Sequence, residues 1–417
     1  MNYPMIKWAK DLFPICRSIT GDGVKKTLKY FLKINPEFKI INFRSGLKVF
    51  DWKIPQVWNI NDAFIEHESG KKFAQFSKLN LHVVGYSSPI NKILSKEKLL
   101  KHIYTQKDQP NSVPYVTSYY KKRWGFCLSE NEKKKLPKGK YKVFIDNNFK
   151  KGNLKVAQAI IKGFSEKEIF FSSYICHPSM ANNELSGPVL LNAIMKYVKK
   201  KKRNFTYRFV LLPETIGSIA YLSKFKNIMK KNIICGYNLT CVGDDRAYSY
   251  VTSRDGNTIA DYFMDKNLKN IKNFKKYHFM ERGSDERQYC SPGIDLPVCA
   301  FSRSKKYKEY HTNKDNFKVV TQKGLMQSFK LMKKIIDQIE NSTFPKAKIF
   351  CEPNLGKRNL YPTLSQKGSY NNIKTRMDLL AYADGGKSLD YISSLIKKPI
   401  NKVNAEYKLL KSKGLLI

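Results

Sequence analysis

Predicted strands and helices alternate through the middle of the chain, from about residue 150 to 345. Short apolar runs such as IFFSSYIC and FVLLPE are each followed by a longer segment with apolar residues at helical spacing, such as GPVLLNAIMKYV. Continuous apolar strands that alternate with amphipathic helices indicate a largely parallel sheet covered on both faces. This pattern predicts an α/β domain.

The pattern changes on both sides of this region. Residues 4–35 have helical spacing, whereas about 36–115 consist of short alternating runs interrupted by Pro, Asn and Gly, which is typical of a small β domain. Three short helical segments over about 373–417 have the spacing of a winged helix. We therefore predict an α/β domain at 1–40 and 116–345, an inserted β domain at 41–115, and a linker with a winged-helix module at 346–417.

The formal net charge of +43 raises the question of nucleic-acid binding. Only twelve of the 77 basic residues are arginine, and the lysines are spread along the whole chain. Nucleic-acid sites use arginine forks as well as lysine charge. We interpret the lysines as solvated surface residues and do not expect a nucleic-acid partner. A basic field would still attract anionic small molecules.

The cysteines and apolar segments indicate where the protein works. None of the eight cysteines forms a C-x-x-C pair, and several lie in apolar runs, which predicts free buried thiols in a reducing compartment. No stretch approaches the roughly 18 apolar residues of a membrane span, and the amino terminus lacks the apolar region of a signal peptide. We expect a cytoplasmic protein. The inserted β domain has edges through which it could form a homo-oligomer.

His177 directly follows the predicted strand IFFSSYIC. Open parallel sheets bind ligands at the carboxyl ends of their strands, so a histidine at this point enters a crevice. The next segment, MANNELSGP, opens a helix, and its amides and short polar side chains suit a metal or an anion. Taken alone, His177 is explained equally well as a core histidine.

Three further segments place polar residues next to predicted strands. Glu214 ends the apolar run VLLPE, where a buried carboxylate needs a partner, a metal or a helix N-terminus. His311 follows a strand and a basic loop, and Asp315 nearby fits a capping role. The segment GSDERQ places three charged residues just before a buried strand, namely Asp285, Glu286 and Arg287.

These segments occur together in a known family. The motifs ICHPSMANNELSGP, LLPETIGSIAYL, GSDERQYCSPGIDLP and YHTNKDN appear in that order. In these motifs the chain resembles the bacterial aminopeptidase-like family of polysaccharide-biosynthesis clusters, which is related to the co-catalytic zinc aminopeptidases. The resemblance covers nearly the whole chain. It implies a zinc-aminopeptidase-like, mostly parallel α/β domain with a small inserted β domain and a C-terminal winged-helix module.

The resemblance also implies roles for single residues. His177 and His311 correspond to metal ligands, and Glu214 corresponds to the general base. Neutral residues stand where the two-zinc enzymes carry carboxylates, at Ser179, Asn183, Thr215 and Thr240. Divalent cations prefer anionic oxygen or imidazole ligands, so a full two-metal site is not expected.

We predict a single zinc site from these matches. Its metal ligands would be drawn from His177, Asn183, Glu184 and His311. The predicted substrate contacts are Asp244, Asp285, Glu286 and Arg287.

The leading prediction is a metal-dependent hydrolase acting on an amide or peptide-like bond of a small-molecule or peptide-like substrate. A role in surface polysaccharide biosynthesis is implied by the resemblance alone. One alternative is a catalytically silent binding protein, which the missing carboxylates favour. Another is a winged-helix DNA-binding regulator. The third helical segment of the tail has four lysines, no arginine and the acidic Glu406, so we expect a packing or protein–protein role for the tail.

Overall fold

The computed structural model describes residues 3–361 and 370–417. In these residues the chain forms sixteen β-strands and twelve α-helices. The strands, in chain order, are β1 (Lys39–Arg44), β2 (Lys48–Val49), β3 (Trp52–Lys53), β4 (Val57–His67), β5 (Lys72–Phe73), β6 (Ile90–Ser95), β7 (Ile103–Tyr104), β8 (Phe126–Cys127), β9 (Lys140–Lys150), β10 (Asn153–Ile161), β11 (Glu168–Tyr174), β12 (Thr206–Leu212), β13 (Ile233–Leu239), β14 (Tyr248–Val251), β15 (Phe274–Tyr277) and β16 (Val298–Ser302).

The helices, in chain order, are α1 (Met5–Leu12), α2 (Asp22–Ile34), α3 (Lys96–Leu100), α4 (Glu130–Lys134), α5 (Ser186–Val198), α6 (Ile216–Asn232), α7 (Ile259–Leu268), α8 (Glu286–Tyr289), α9 (Gln322–Glu340), α10 (Tyr370–Tyr382), α11 (Leu389–Leu395) and α12 (Ile400–Ser412). Of these, α5 is the most enclosed by the core, since all but one of its residues are buried.

Eight strands form one large sheet in the order β1-β10-β12-β11-β13-β16-β14-β15. The four central strands, β12, β11, β13 and β16, are parallel to one another. Strands β1 and β10 on one side, and β14 next to β16, pair in antiparallel fashion. The predicted mostly parallel α/β domain is confirmed.

Strand β11 shows how the sheet is covered. Ile169 and Phe171 pack in the core that contains α5 and α9, whereas Phe170 and Tyr174 pack in the core that contains α6. All seven residues of the strand are buried, as expected for a strand with helices on both faces. The parallel strands β11, β12 and β13 end at the same edge of the sheet, and the candidate residues follow those ends.

A buried ion pair joins β11 to β12. Nε and Nη2 of Arg208 donate to the two carboxylate oxygens of Glu168 at 2.5 and 2.9 Å. Nη1 donates to Gln158 and to the Tyr221 hydroxyl at 2.9 and 2.8 Å. Both charged side chains are buried. Because β11 leads to the candidate histidine and β12 to the candidate glutamate, the pair helps to fix where these two residues lie.

A second, antiparallel sheet has the order β5-β4-β9-β6. Its strand β9 comes after residue 115, while β1 belongs to the large sheet. The exact limits of the inserted domain, predicted at 41–115, therefore stay a prediction. This part of the chain reaches the main domain through a bridge between Pro114 and Thr312, beside His311.

The C-terminal region forms the predicted winged helix. Helices α10, α11 and α12 share a core that includes Leu379, Ile392 and Leu410. Short bridges join Lys346 to Asp384 and Ala347 to Leu416. Residues 362–369, part of the predicted linker, lie outside the described residues.

Helix α11 packs against the main domain. The Tyr391 ring stacks on Tyr262 with centroids 4.8 Å apart, and Nζ of Lys266 lies 2.8 Å from Oδ2 of Asp390. Glu406 of α12 pairs with Arg376 at 2.8 Å inside the tail. These contacts favour a packing role for the module.

Two further features concern the whole described chain. Among residues 3–361 and 370–417 there is no helix that combines the length and the apolar character needed to cross a bilayer. All eight cysteines are free thiols, and six of them are buried.

We predict that Glu168→Ala lowers the free energy of unfolding by about 3–5 kcal/mol, because it leaves the Arg208 charge buried without a partner. Urea unfolding of the full chain measures the loss. The matched control is Lys7→Ala, which removes an exposed ion pair with Asp11 and should cost less than about 1 kcal/mol. Equal losses for the two variants would contradict the structural role given to the buried pair.

Candidate active site

Three predicted site residues meet at the edge of the large sheet. His177 lies three residues beyond the end of β11, and Glu214 lies two residues beyond the end of β12. Nε2 of His177 is 3.8 Å from Oε2 of Glu214. The ring of His311, from the loop between β16 and α9, has its centroid 5.4 Å from that of His177. The fold therefore gathers residues that are 134 positions apart in the sequence.

Glu184 and Arg17 hold His177 in place. Oε2 of Glu184 accepts from the backbone N–H of His177 at 2.9 Å and lies 3.0 Å from its Nδ1. Oε1 of Glu184 lies 3.0 Å from Nε of Arg17. That same Nε donates to the carbonyl oxygen of His177 at 3.0 Å, and Nη1 donates to the carbonyl oxygen of Leu12 at 2.7 Å. Because Nδ1 is engaged, Nε2 of His177 is directed to the cleft.

The sequence alone predicted Glu184 as a metal ligand. Its side chain is fully buried, and its two oxygens face Arg17 and His177. This geometry favours a supporting role over the ligand role, which stays a prediction. The main-chain turn at Ala181–Leu185 is π-helical, and this wider turn directs Glu184 back towards His177.

Cys176 lies close to the same group. Ligand atoms of Cys176, His177 and Glu184 all lie within 4.8 Å of one another, a spacing that a metal ion could use. Burial, however, raises the pKa of Cys176 to about 11, which keeps the thiol protonated near neutral pH. Its sulfur also accepts the backbone N–H of Glu214 at 3.3 Å. We therefore regard this trio as an internal support and not as the ligand set.

Tyrosine rings enclose the two histidines. The Tyr115 ring lies 5.3 Å from His177 and 5.2 Å from His311, measured between centroids. Tyr174 contacts His177 at 5.1 Å, and Tyr310 stacks on His311 at 3.9 Å. These rings keep both imidazoles in a largely apolar surrounding.

Two buried polar atoms of the predicted metal ligands His311 and Asn183 have no hydrogen-bond partner. They are Nε2 of His311 and Oδ1 of Asn183, both buried. Burial and the charge on His177 lower the pKa of His311 to about 3, so this ring is neutral and has a lone pair to donate. The amide nitrogen of Asn183 donates to the Tyr174 hydroxyl at 3.1 Å. A buried polar atom without a partner is costly, so a ligand bound here would compensate both atoms.

The electrostatics of His177 and Glu214 are linked. Burial opposes a charge on His177, but Cys176 and Glu184 raise its pKa well above the usual value. Burial raises the pKa of Glu214, and the charge of His177 opposes that shift. Glu214 is thus a carboxylate in a poorly solvated position beside a cation.

Glu214 is followed by a strained residue. Thr215 has a φ of 64°, which is uncommon for a residue with a branched side chain. Asp285 holds it there, since its Oδ1 accepts from the Thr215 N–H at 2.8 Å. Nη2 of Arg287 donates to the Thr215 hydroxyl at 2.6 Å. Burial, together with the nearby Glu214, raises the pKa of Asp285 to about 7.

The other two predicted substrate contacts have internal partners. Asp244 is fully buried and accepts from Asn182 and from both the N–H and the hydroxyl of Ser304. Glu286 accepts from the N–H groups of Gly283 and Ser284 and from Asn238. These contacts favour loop support for both residues, and their predicted role towards a substrate stays a prediction.

Three of the neutral positions noted in the sequence are also hydrogen-bonded within the protein. Besides Thr215, the hydroxyl of Ser179 donates to the carbonyl oxygen of Phe13 at 3.1 Å, and the Thr240 hydroxyl lies 2.6 Å from that of Tyr174. Unlike His311 and Asn183, they have no need of a further partner.

Sequence reasoning missed Arg17, Cys176 and the tyrosines at the site. Arg17 had one signal, since it is an arginine inside the apolar stretch LFPICRSIT of a chain that uses lysine for most of its positive charge. Asp315 was expected to cap its own loop. It instead accepts from the N–H groups of Asn182 and Asn183 at 2.6 and 2.8 Å, across the fold.

Comparisons with known proteins agree with this fold. Residues 6–342 match the model of a domain of unknown function, DUF4910, and residues 343–417 match a winged helix-turn-helix model. The chain belongs to the DUF4910 family. The winged-helix match confirms the architecture of the tail.

Relatives extend the comparison. A Clostridium acetobutylicum protein, named as a candidate polysaccharide biosynthesis protein with an aminopeptidase-like domain, is 40% identical over 91% of this chain and 88% of its own length. A crystal structure of a candidate peptidase from Clostridium acetobutylicum has a TM-score of 0.82 at 36% identity, covering 99% and 96% of the two chains. A zinc aminopeptidase from Bacillus subtilis has a TM-score of 0.58 at 12% identity, covering 80% and 93% of the two chains. This last likeness shows the shared aminopeptidase fold.

We predict that Arg17→Met costs about 3–5 kcal/mol of unfolding free energy, because it leaves the Glu184 carboxylate buried without its cation. Urea unfolding of the full chain provides the measurement. The double variant Arg17→Met with Glu184→Gln serves as the control and should recover part of the loss, since no charge is then left unpaired. A double variant less stable than Arg17→Met alone would show that the ion pair is not the source of the effect.

Proposed function

We propose that this protein is a metal-dependent hydrolase of an amide or peptide-like bond. The observation that carries the proposal is two buried, unpartnered donor atoms: Nε2 of His311, whose ring centroid lies 5.4 Å from that of His177, and Oδ1 of Asn183. Two imidazoles and one amide oxygen fit a single zinc ion, because zinc accepts nitrogen and oxygen donors in a four-coordinate site with one open position.

The residues that would hold the ion are His177, His311 and Asn183. When bound, zinc would supply an acidified water and polarise a substrate carbonyl. Glu184 would keep His177 oriented through its Nδ1, as carboxylates beside metal-binding histidines do. Tyr115 and Tyr310 limit the access of bulk water to the two rings.

Glu214 has the position of a general base. It lies at the mouth of the cleft with one-fifth of its side chain exposed, and its Oε2 is 3.8 Å from His177. A carboxylate whose pKa is raised by burial holds a proton more readily near neutral pH than an exposed one. Glu214 would accept the proton of the attacking water and return it to the leaving amine.

The biological setting is part of the proposal. The relative from Clostridium acetobutylicum carries a polysaccharide-biosynthesis name, and we extend that setting to this protein. The free, mostly buried thiols fit a reducing compartment such as the cytoplasm.

A second candidate function is a silent binding protein with the same cleft. The hydrogen-bonded neutral residues Ser179, Thr215 and Thr240 favour it, because they offer no anionic ligand. The two functions differ in whether Glu214 turns over a bound substrate.

We predict about one zinc ion per chain in protein purified without chelator, since the proposed ligands form a single set. Elemental analysis by mass spectrometry gives the ratio. His177→Ala and His311→Ala should each lose most of the zinc, while the exposed control His278→Ala should keep it. Unchanged zinc in the two site variants would overturn the metal site, and two ions per chain would overturn the single-ion assignment.

We predict that Glu214→Gln lowers kcat for amine release by about 10²–10⁴-fold while zinc content stays the same, because the variant removes only the proton acceptor. The assay uses aminoacyl anilides and N-acyl amino sugars. Glu166→Gln, an exposed carboxylate outside the cavity, is the control and should keep its rate. Binding of these compounds without turnover by the unmodified protein would support the silent alternative.

A further inference from the structure

A cavity of about 390 Å³ opens directly beside Glu214. Its walls come from the 281–286 loop, the end of β16 and the segment that leads to His311, and they include Tyr174, Tyr307 and Tyr310. This volume is in the range of small-molecule sites and holds a side chain or a single sugar ring. A substrate group bound in this cavity would lie next to the substrate bond on which Glu214 is proposed to act.

Six charged side chains line this cavity, three acidic and three basic. They are Glu214, Glu281, Glu286, Arg282, Lys305 and Lys306. Most have a partner within the protein. Glu286 accepts from two backbone N–H groups and from Asn238. Nζ of Lys306 lies 2.7 Å from Oε2 of Glu281.

Lys305 and Arg282 are the two remaining basic residues of this cavity. Among the described residues, neither forms an ion pair with a carboxylate; Lys305 lies 5.9 Å from the Tyr277 ring, and Arg282 lies over the Phe279 ring at 5.1 Å. Lys305 is half-buried, and its Nζ lies next to Gly283. A Cβ added to this glycine would be 3.5 Å from that nitrogen. A half-buried ammonium group without a counter-charge is poised to bind an anion.

The general lysine excess does not account for this arrangement. The neighbouring Lys306 is exposed and neutralised by Glu281, whereas Lys305 is turned to the cavity and is not neutralised. The two lysines are adjacent in the sequence and both line the cavity, but they differ in exposure and in ion pairing. The chain therefore contains its own control.

We propose that the cavity binds an anionic group of the substrate, a carboxylate or a phosphate, through Lys305 and Arg282. Placing this group next to the reacting bond rests on the proposed function, in which Glu214 acts at that bond. The substrate class is thus an acyl or aminoacyl compound with a negative charge on the part that enters the cavity. The guanidinium fork suits either oxyanion, so the two sources are separated by experiment.

The test is calorimetric binding of two matched pairs of probes to the full-length protein at fixed ionic strength. The pairs are N-acetylglutamate with N-acetylglutamine, and N-acetylglucosamine 6-phosphate with N-acetylglucosamine. At least one acidic probe should bind about tenfold more tightly than its neutral partner, and the pair that shows the preference identifies the anion. Equal affinities within both pairs would overturn the proposal.

Variants locate the site. Lys305→Gln and Arg282→Gln should each abolish most of the preference for the acidic probe, while the double variant Lys306→Gln with Glu281→Gln, which removes a neutral ion pair, should keep it. This comparison is needed because a carboxylate or phosphate can also bind a metal ion. If this double variant loses as much as Lys305→Gln, or if the preference survives in both site variants, the proposed site is wrong. Unchanged thermal unfolding midpoints confirm that the variants are folded.

The outcome is separable from that of the proposed function, because binding needs no turnover. If Glu214→Gln and the unmodified protein show the same anion preference and neither hydrolyses any compound, the anion site stands and the hydrolase proposal falls. If hydrolysis occurs with equal kcat/KM for acidic and neutral substrates, the hydrolase proposal stands and the anion site falls.

Discussion

The buried charge pair of Arg17 and Glu184 connects three parts of the chain that are distant in sequence. Arg17 also binds the carbonyl oxygens of Leu12 and His177, so the first helix, the end of β11 and the turn before α5 meet at one guanidinium. Two charges out of water are stable only with close and complete pairing. This requirement constrains His177 more tightly than packing of its ring alone would.

The ion pair determines which nitrogen of His177 faces the cleft. With Nδ1 of His177 against Glu184, the only nitrogen left for the cleft is Nε2, which faces Glu214. The protein thus fixes one imidazole by a charged network and the other, His311, by stacking on Tyr310 and by the bridge between Pro114 and Thr312. A charged support and an apolar support give the two histidines different electrostatic character, one with a raised and one with a lowered pKa.

Much of the fold followed from pattern alone, because apolar strands and amphipathic helices are local signals. The same reasoning placed His177 and Glu214 at strand ends, where parallel strands bring them together. It could not foresee the direction of Glu184, since this depends on a π-helical turn that sequence spacing does not reveal. Nor could it find Arg17, whose contact with His177 spans 160 residues. Tyr115 was missed for the same reason, since it comes from the predicted insertion.

The neutral residues of the cleft make hydrogen bonds within the protein. Thr215 and Thr240 are hydrogen-bonded to Arg287 and Tyr174, so their hydroxyl groups are already engaged within the protein. Arg287 adds a fixed positive charge there, close enough to Glu214 to oppose the rise of its pKa. A second cation beside this guanidinium would meet its repulsion. By contrast, the side that contains His311 and Asn183 has lone pairs without partners. The asymmetry of these two sides, more than the count of missing carboxylates, is the reason to expect one metal ion and to expect it between the histidines.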